Sequence, residues 1–173
     1  MITLFENYRK KPDLNSVSPE FWKMVKIANW NVVMKGYKNN PIVRQDRLDF
    51  YKKAQNRIYS KYTFKEIEKF NGEYHVIYTQ VYDFFSNIWL DDKYASITVS
   101  DDGYSDLISS VVGKGKTWVD KSINNVENFV QMMKNRDYVE NFGYLFQVDE
   151  DEYNQILDEF ATPLQRKIKK YNL

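Results

Sequence analysis

The sequence predicts a mainly α-helical single domain, a bundle-like fold with at most a minor strand or two. Three observations predict it. Tyr74, Ile77, Tyr78, Val81, Phe84, Phe85, Ile88 and Trp89 keep the i, i+3, i+4 spacing of one helix face for about four turns. Helix-start chemistry precedes several such stripes. Gly and Pro are sparse at 6 and 4, and no low-complexity run occurs, which argues against disorder.

The elements follow in order. Ser18-Pro19-Glu20 reads as an N-cap, a proline at the first helical position and an acid in the first turn. Phe21, Met24, Val25, Ala28 and Val32 continue as one apolar stripe, and Gly36 with the loop KNNP is expected to end that helix. A second helix is expected from about Ile42, carrying Val43, Phe50, Ala54 and Ile58 on one side. Thr63 and Glu66 match a capping box ahead of FKEIEKFN, and the central stripe begins after Gly72. In SDDGYSDLISSVV, residues 100–112, Tyr104, Leu107, Ile108 and Val111 share a face, with Ser100 or Asp101 as cap. Val126, Phe129, Val130 and Met133 mark another helix. Tyr153, Ile156, Leu157 and Phe160 mark one more, opened by the acids 149–152 and broken by Pro163, with Leu164 and Ile168 in a short basic helix beyond. Only YLFQV 144–148 and ITLF 2–5 read as strands.

Composition narrows the function. The chain of 173 residues suits one domain over 1–173, and 43% hydrophobic residues, with 14 Tyr, 11 Phe and 4 Trp, can fill a ring-rich core. There is no Cys, which removes disulfides, thiolate metal sites and cysteine nucleophiles. No window approaches the roughly 18 apolar residues of a membrane span, so the expected location is cytoplasmic, with no membrane partner. A net charge of +1, from 25 basic and 24 acidic residues, gives no global field for nucleic acid. His75 is the one histidine, so a triad or a multi-histidine metal site would have to be built around it alone; on the central helix it sits beside the apolar stripe.

VVGKGKTW, residues 111–118, looks like half of a phosphate-binding loop. A phosphate loop needs G-x-x-x-x-G-K-[ST] between a strand and a helix, whereas Ser110 stands where the first glycine belongs and the preceding pattern is helical. The stretch is expected instead to join two helices. Gly113 would terminate the first in the left-handed conformation, Lys114 and Lys116 would sit near its negative end, and Thr117–Asp120 would supply a capping box for the second.

The segment SDDGYSDLISSVVGKGK resembles the signature of DUF4240, a bacterial family known only as a domain of unknown function. The Phe21-Trp22 pair at the head of the first helix, Ile67 and Phe70 before the central helix, and Trp89 before the acidic motif point the same way. The resemblance covers about residues 18–128, leaving 129–173 as C-terminal helices packed on that region. Members often carry an Arg and a Trp inside the motif helix, where this chain has Ile108 and Ser110. The resemblance implies a cytoplasmic bacterial protein, no known cofactor and no established activity.

The partner-binding candidates are Asp91, Asp92, Asp101, Asp102, Tyr104, Asp106, Asp149, Glu150, Asp151 and Glu152, two acidic regions that could form one surface if they lie together. Each also has a structural account, since acids at helix starts complement the dipole. Tyr8, Tyr37, Tyr59, Tyr62, Tyr94, Tyr138 and Tyr171 fall off the clear stripes and could line an interface. The reading reached is a non-catalytic protein-binding module without catalytic, cofactor or metal residues, of the kind that neutralises a cognate toxin as an immunity protein. The alternative is a carboxylate- or metal-dependent enzyme using Asp101 and Asp102. Nucleic-acid binding through YKKAQNR 51–57 and the lysines of 166–170 is a third and weaker fit to the balanced charge.

Overall fold

A computed structural model describes residues 10–39, 44–86, 88, 94, 99–139 and 142–162. The segments 2–5 and 163–173, with Ile42, Val43, Trp89, Asp91 and Asp92, lie outside them. Within them the chain is helical, and no strand occurs among the described residues.

Helix α1, Pro19–Ala28, starts as its sequence requires: the Ser18 hydroxyl accepts from the Phe21 amide at 3.1 Å, and Phe21, Trp22, Met24, Val25 and Ala28 are buried. The stripe does not continue to Val32. Asn29 turns left-handed at φ 51°, and a new helix α2, Trp30–Asn39, takes another direction. This rotation buries Trp30 and leaves Val32 44% exposed. Arg57 donates from Nε and Nη2 to the Ala28 carbonyl at 3.2 and 2.6 Å, satisfying an acceptor at the break. Gly36 does not end α2; a Cβ there would meet the Phe50 ring at 2.5 Å, so glycine serves the close approach of α3.

Helix α3, Arg44–Tyr59, runs back against α2, since Trp30 meets Tyr51 with ring centroids 5.3 Å apart while Gly36 opposes Phe50. Thr63 and Glu66 form the expected capping box for α4. That helix, Phe64–Phe85, passes through Gly72 without interruption. It crosses the middle of the molecule. Its start meets α1 through Phe21 and Phe70, and α5, Asp101–Gly113, lies antiparallel along it, with Tyr74 on Ser109 and Tyr82 on Tyr104. Helices α6, Lys116–Asn124, and α7, Val126–Lys134, close the far side, where Phe129 stacks on Phe85 at 4.0 Å. Helix α8, Glu150–Phe160, lies antiparallel on α3, held at Tyr59 by Tyr153 and at Lys52 by Glu159.

The stretch 144–148 is not a strand. A 3-10 turn spans Phe142–Leu145, the Leu145 carbonyl accepts from the buried Tyr59 hydroxyl at 2.7 Å, and buried serines of α5 take amides just before the stretch. The Phe142 amide donates to Ser109 Oγ at 2.7 Å, and the Val139 amide to Ser110 Oγ at 3.3 Å. Phe142 and Phe146 then pack beside Tyr74 at 6.0 and 5.8 Å in the centre of the core.

Candidate functional site

Ser100, not Asp101, caps α5: its hydroxyl accepts from the Gly103 amide at 3.2 Å. Asp101 and Asp102 follow in the first turn, exposed, with no hydrogen bond or ion pair of their carboxylates among the described residues. Tyr104 is buried against Tyr82 at 5.1 Å and donates to the Tyr82 carbonyl at 3.5 Å, so it is a core residue. Asp106 is half-buried on the side of α5 that faces Tyr74 and Tyr78. Burial raises both phenols, and the Asp106 charge adds to that. Asp91 and Asp92 lie outside the described residues. His75 is exposed at the surface with its ring edge on Tyr74. Among the described residues no group of three His, Asp or Glu side chains is placed to hold a metal ion.

At the other acidic run, Asp149 caps α8 by accepting from the Glu152 amide at 2.8 Å, and Glu150, Asp151 and Glu152 stand exposed in the first turn. The two runs are docked on separate anchors. Tyr104 docks against Tyr82, about 27 Å farther along α4 than Phe64, against which Tyr153 docks.

The acids that 149–152 does meet come from two other helix starts. The Tyr153 hydroxyl donates to the Tyr62 carbonyl at 2.8 Å and reaches the Tyr59 carbonyl at 3.3 Å. The Tyr62 hydroxyl donates in turn to Glu20 Oε1 at 2.8 Å, and the next residue, Thr63, is capped by Glu66 Oε2 at 2.8 Å. The first turns of α1, α4 and α8 therefore converge on residues 59–63 and bring Glu20, Glu66 and the 149–152 run to one corner.

The electrostatics follow this geometry. The Tyr62 hydrogen bond holds Glu20 below the usual carboxylate range, helped by Lys23 at 3.3 Å, and the Thr63 amide and hydroxyl do the same for Glu66. Burial and then Glu20 push the Tyr62 phenol up to about 12. Burial and then Glu66 raise Tyr153. Glu20 and Glu66 were legible only as helix-start acids, because nothing local to 20, 66 or 149–152 indicates their meeting. Tyr59, Tyr62 and Tyr94, read as interface candidates, are buried in the core, and Tyr138 is half-buried. Within the basic stretch 51–57, Lys52 is paired with Glu159 at 2.8 Å and Arg57 holds Ala28.

The GKGKT stretch joins α5 to α6 with different chemistry from that expected. Gly113 is the last helical residue of α5 and has no left-handed backbone; a Cβ there would meet Trp30 at 2.6 Å and Phe142 at 3.0 Å. Gly115 is the left-handed residue, at φ 95°, and it is the N-cap of α6, so no capping box forms over Thr117–Asp120. Lys114 lies over the Trp118 ring at 4.5 Å and pairs with Asp137 at 3.2 Å. Around this turn and the α1–α2 elbow runs a half-open cleft of about 380 Å³.

Comparison of the chain with family models, with curated proteins and with solved structures finds no match.

Proposed function

We propose that this chain is a non-catalytic protein-binding module whose partner presents a basic surface, in the manner of a bacterial immunity protein that neutralises a cognate toxin. One observation carries the reading: three helix starts gather Glu20, Glu66, Asp149, Glu150, Asp151 and Glu152 around Tyr62 and Tyr153. Lys23, 3.3 Å from Glu20, and the helix dipoles offset part of the repulsion among these acids, and the Asp149 side chain already serves the cap of α8. Glu150, Asp151 and Glu152 remain exposed, carried on a helix locked to the core. A rigid, pre-formed negative corner accelerates encounter with a positive face and loses little order on binding.

The resemblance to the DUF4240 family belongs to the same proposal and supplies no activity of its own. The test is an affinity measurement between the full chain and the toxin encoded beside it. Binding that weakens steeply with salt is expected, and absence of binding at low salt sinks the immunity reading.

A further inference from the structure

A second site of opposite sign lies at the far end of α1. Lys26 stands three residues before the Asn29 break, about 9 Å along the helix axis from Glu20. Beside it the α1–α2 elbow and the α5–α6 turn enclose the cleft of about 380 Å³. Three lysines from these two segments, Lys26, Lys114 and Lys116, line it, and no carboxylate does among the described residues. Lys26 and Lys114 stand at the negative ends of α1 and α5, which suits the helix dipole, whereas Lys116 opens α6, where the dipole does not favour a cation. Lys114 is pinned by Asp137 and Trp118, so its ammonium is fixed with its side chain only 12% exposed. Lys116 donates to the neutral side-chain amide oxygen Oδ1 of Asn15 at 2.9 Å, and Lys26 has no ion pair among the described residues. Two ammonium groups without an ion pair among the described residues thus line one concave space.

We propose that this cleft binds a small phosphomonoester. Lys26 and Lys116 supply the charge for a phosphate dianion, and Gly115 leaves the start of α6 without a side-chain cap beside them. The cleft is larger than a phosphate group needs, and Trp22, 9% exposed, gives its wall an apolar contact for the ester's organic part. The Trp22 indole donates to the Leu14 carbonyl at 3.0 Å, so its contribution is contact area and not a hydrogen bond. This is not the strand-to-helix phosphate loop that the residues GKGKT suggest, because a helix precedes the turn.

The test is a titration of the isotope-labelled full chain with phenyl phosphate at constant ionic strength, read by amide NMR shifts. Saturating shifts are expected at Lys116 and Thr117, at least tenfold weaker in the exposed double variant Lys26→Gln/Lys116→Gln and unchanged in Lys23→Gln/Lys121→Gln. Inorganic phosphate, lacking the apolar part, is expected to bind more weakly. Shifts that never saturate, that sodium chloride reproduces, or that survive the cleft variant overturn the site. Equal binding of inorganic phosphate and phenyl phosphate overturns its assignment to an ester.

Discussion

The Tyr153 hydroxyl donates to the Tyr62 carbonyl at 2.8 Å, joining α8 to the corner between α3 and α4. The same contact places the acids of α8 beside Glu66, whose charge raises the Tyr153 phenol after burial has done so. Tyr153→Phe keeps the ring against Tyr59 and Phe64 and removes only the bond. A loss of about 1 kcal/mol in denaturant unfolding is expected, together with faster amide exchange along α8. An unchanged exchange pattern would show that the ring alone holds the helix.

Two glycines with opposite surroundings make a paired prediction. Gly113→Ala forces a methyl against the buried Trp30 at 2.6 Å and is expected to cost about 1–3 kcal/mol. Gly72→Ala has nothing within 4 Å, sits inside α4 and is expected to stabilise by about 0.5–1 kcal/mol. Chemical denaturation of both variants against the parent checks the sign of each.

Buried serines make a second pair. Ser109 accepts from the Phe142 amide at 2.7 Å and pairs with the Tyr74 hydroxyl at 2.8 Å, so Ser109→Ala strands buried polar groups and is expected to cost about 1–3 kcal/mol. Ser122 Oγ is buried with no hydrogen-bond partner, so Ser122→Ala is expected to be neutral or stabilising. If Ser122→Ala destabilises as much as Ser109→Ala, the Ser122 hydroxyl has a partner this account lacks.

The pH dependence has two limbs. Glu20 and Glu66 have depressed folded-state values, so their stabilisation is complete above the ordinary 4.5 and fades as pH falls below it through those values. Tyr62 is raised from 10.0 to about 12, so its contribution is complete below 10 and fades as pH rises from there towards 12. Tyr59 and Tyr74 are raised in the same direction by burial. Tyrosinate absorbance is expected to show the buried tyrosines ionising only with alkaline unfolding. Tyr62→Phe should remove part of the alkaline limb.

Local chemistry was legible in the sequence and long-range meetings were not. Ser18, Thr63, Ser100 and the 149–152 run marked true helix starts, because a cap involves residues only a few positions apart. The stripe from Tyr74 was equally plain, although it was read on through Ile88 and Trp89 and α4 ends at Phe85. Phe21 to Val32 misled because the spacing stays helical across Asn29, and only the packing of Trp30 reveals the change of direction. Gly113 and Gly115 exchanged roles because both permit a positive φ, while the neighbour that demands glycine at 113, Trp30, is remote in sequence. The stretch 144–148 has strand composition, yet α5 serines satisfy the adjoining backbone. The acidic corner draws on residues 20, 66 and 149–152, and no window of sequence contains all three.

The central claim is that this corner binds a basic protein. The most direct measurement is a capture from lysate of the source organism with the full chain and with Glu150→Lys/Asp151→Lys, each read by native mass spectrometry. Both substituted residues are exposed first-turn positions, and a fold check by circular dichroism accompanies them. The account predicts a stoichiometric basic partner on the parent chain, lost from the charge-reversed variant and released by salt. A partner retained equally by both chains, or the parent chain recovered alone, would contradict it.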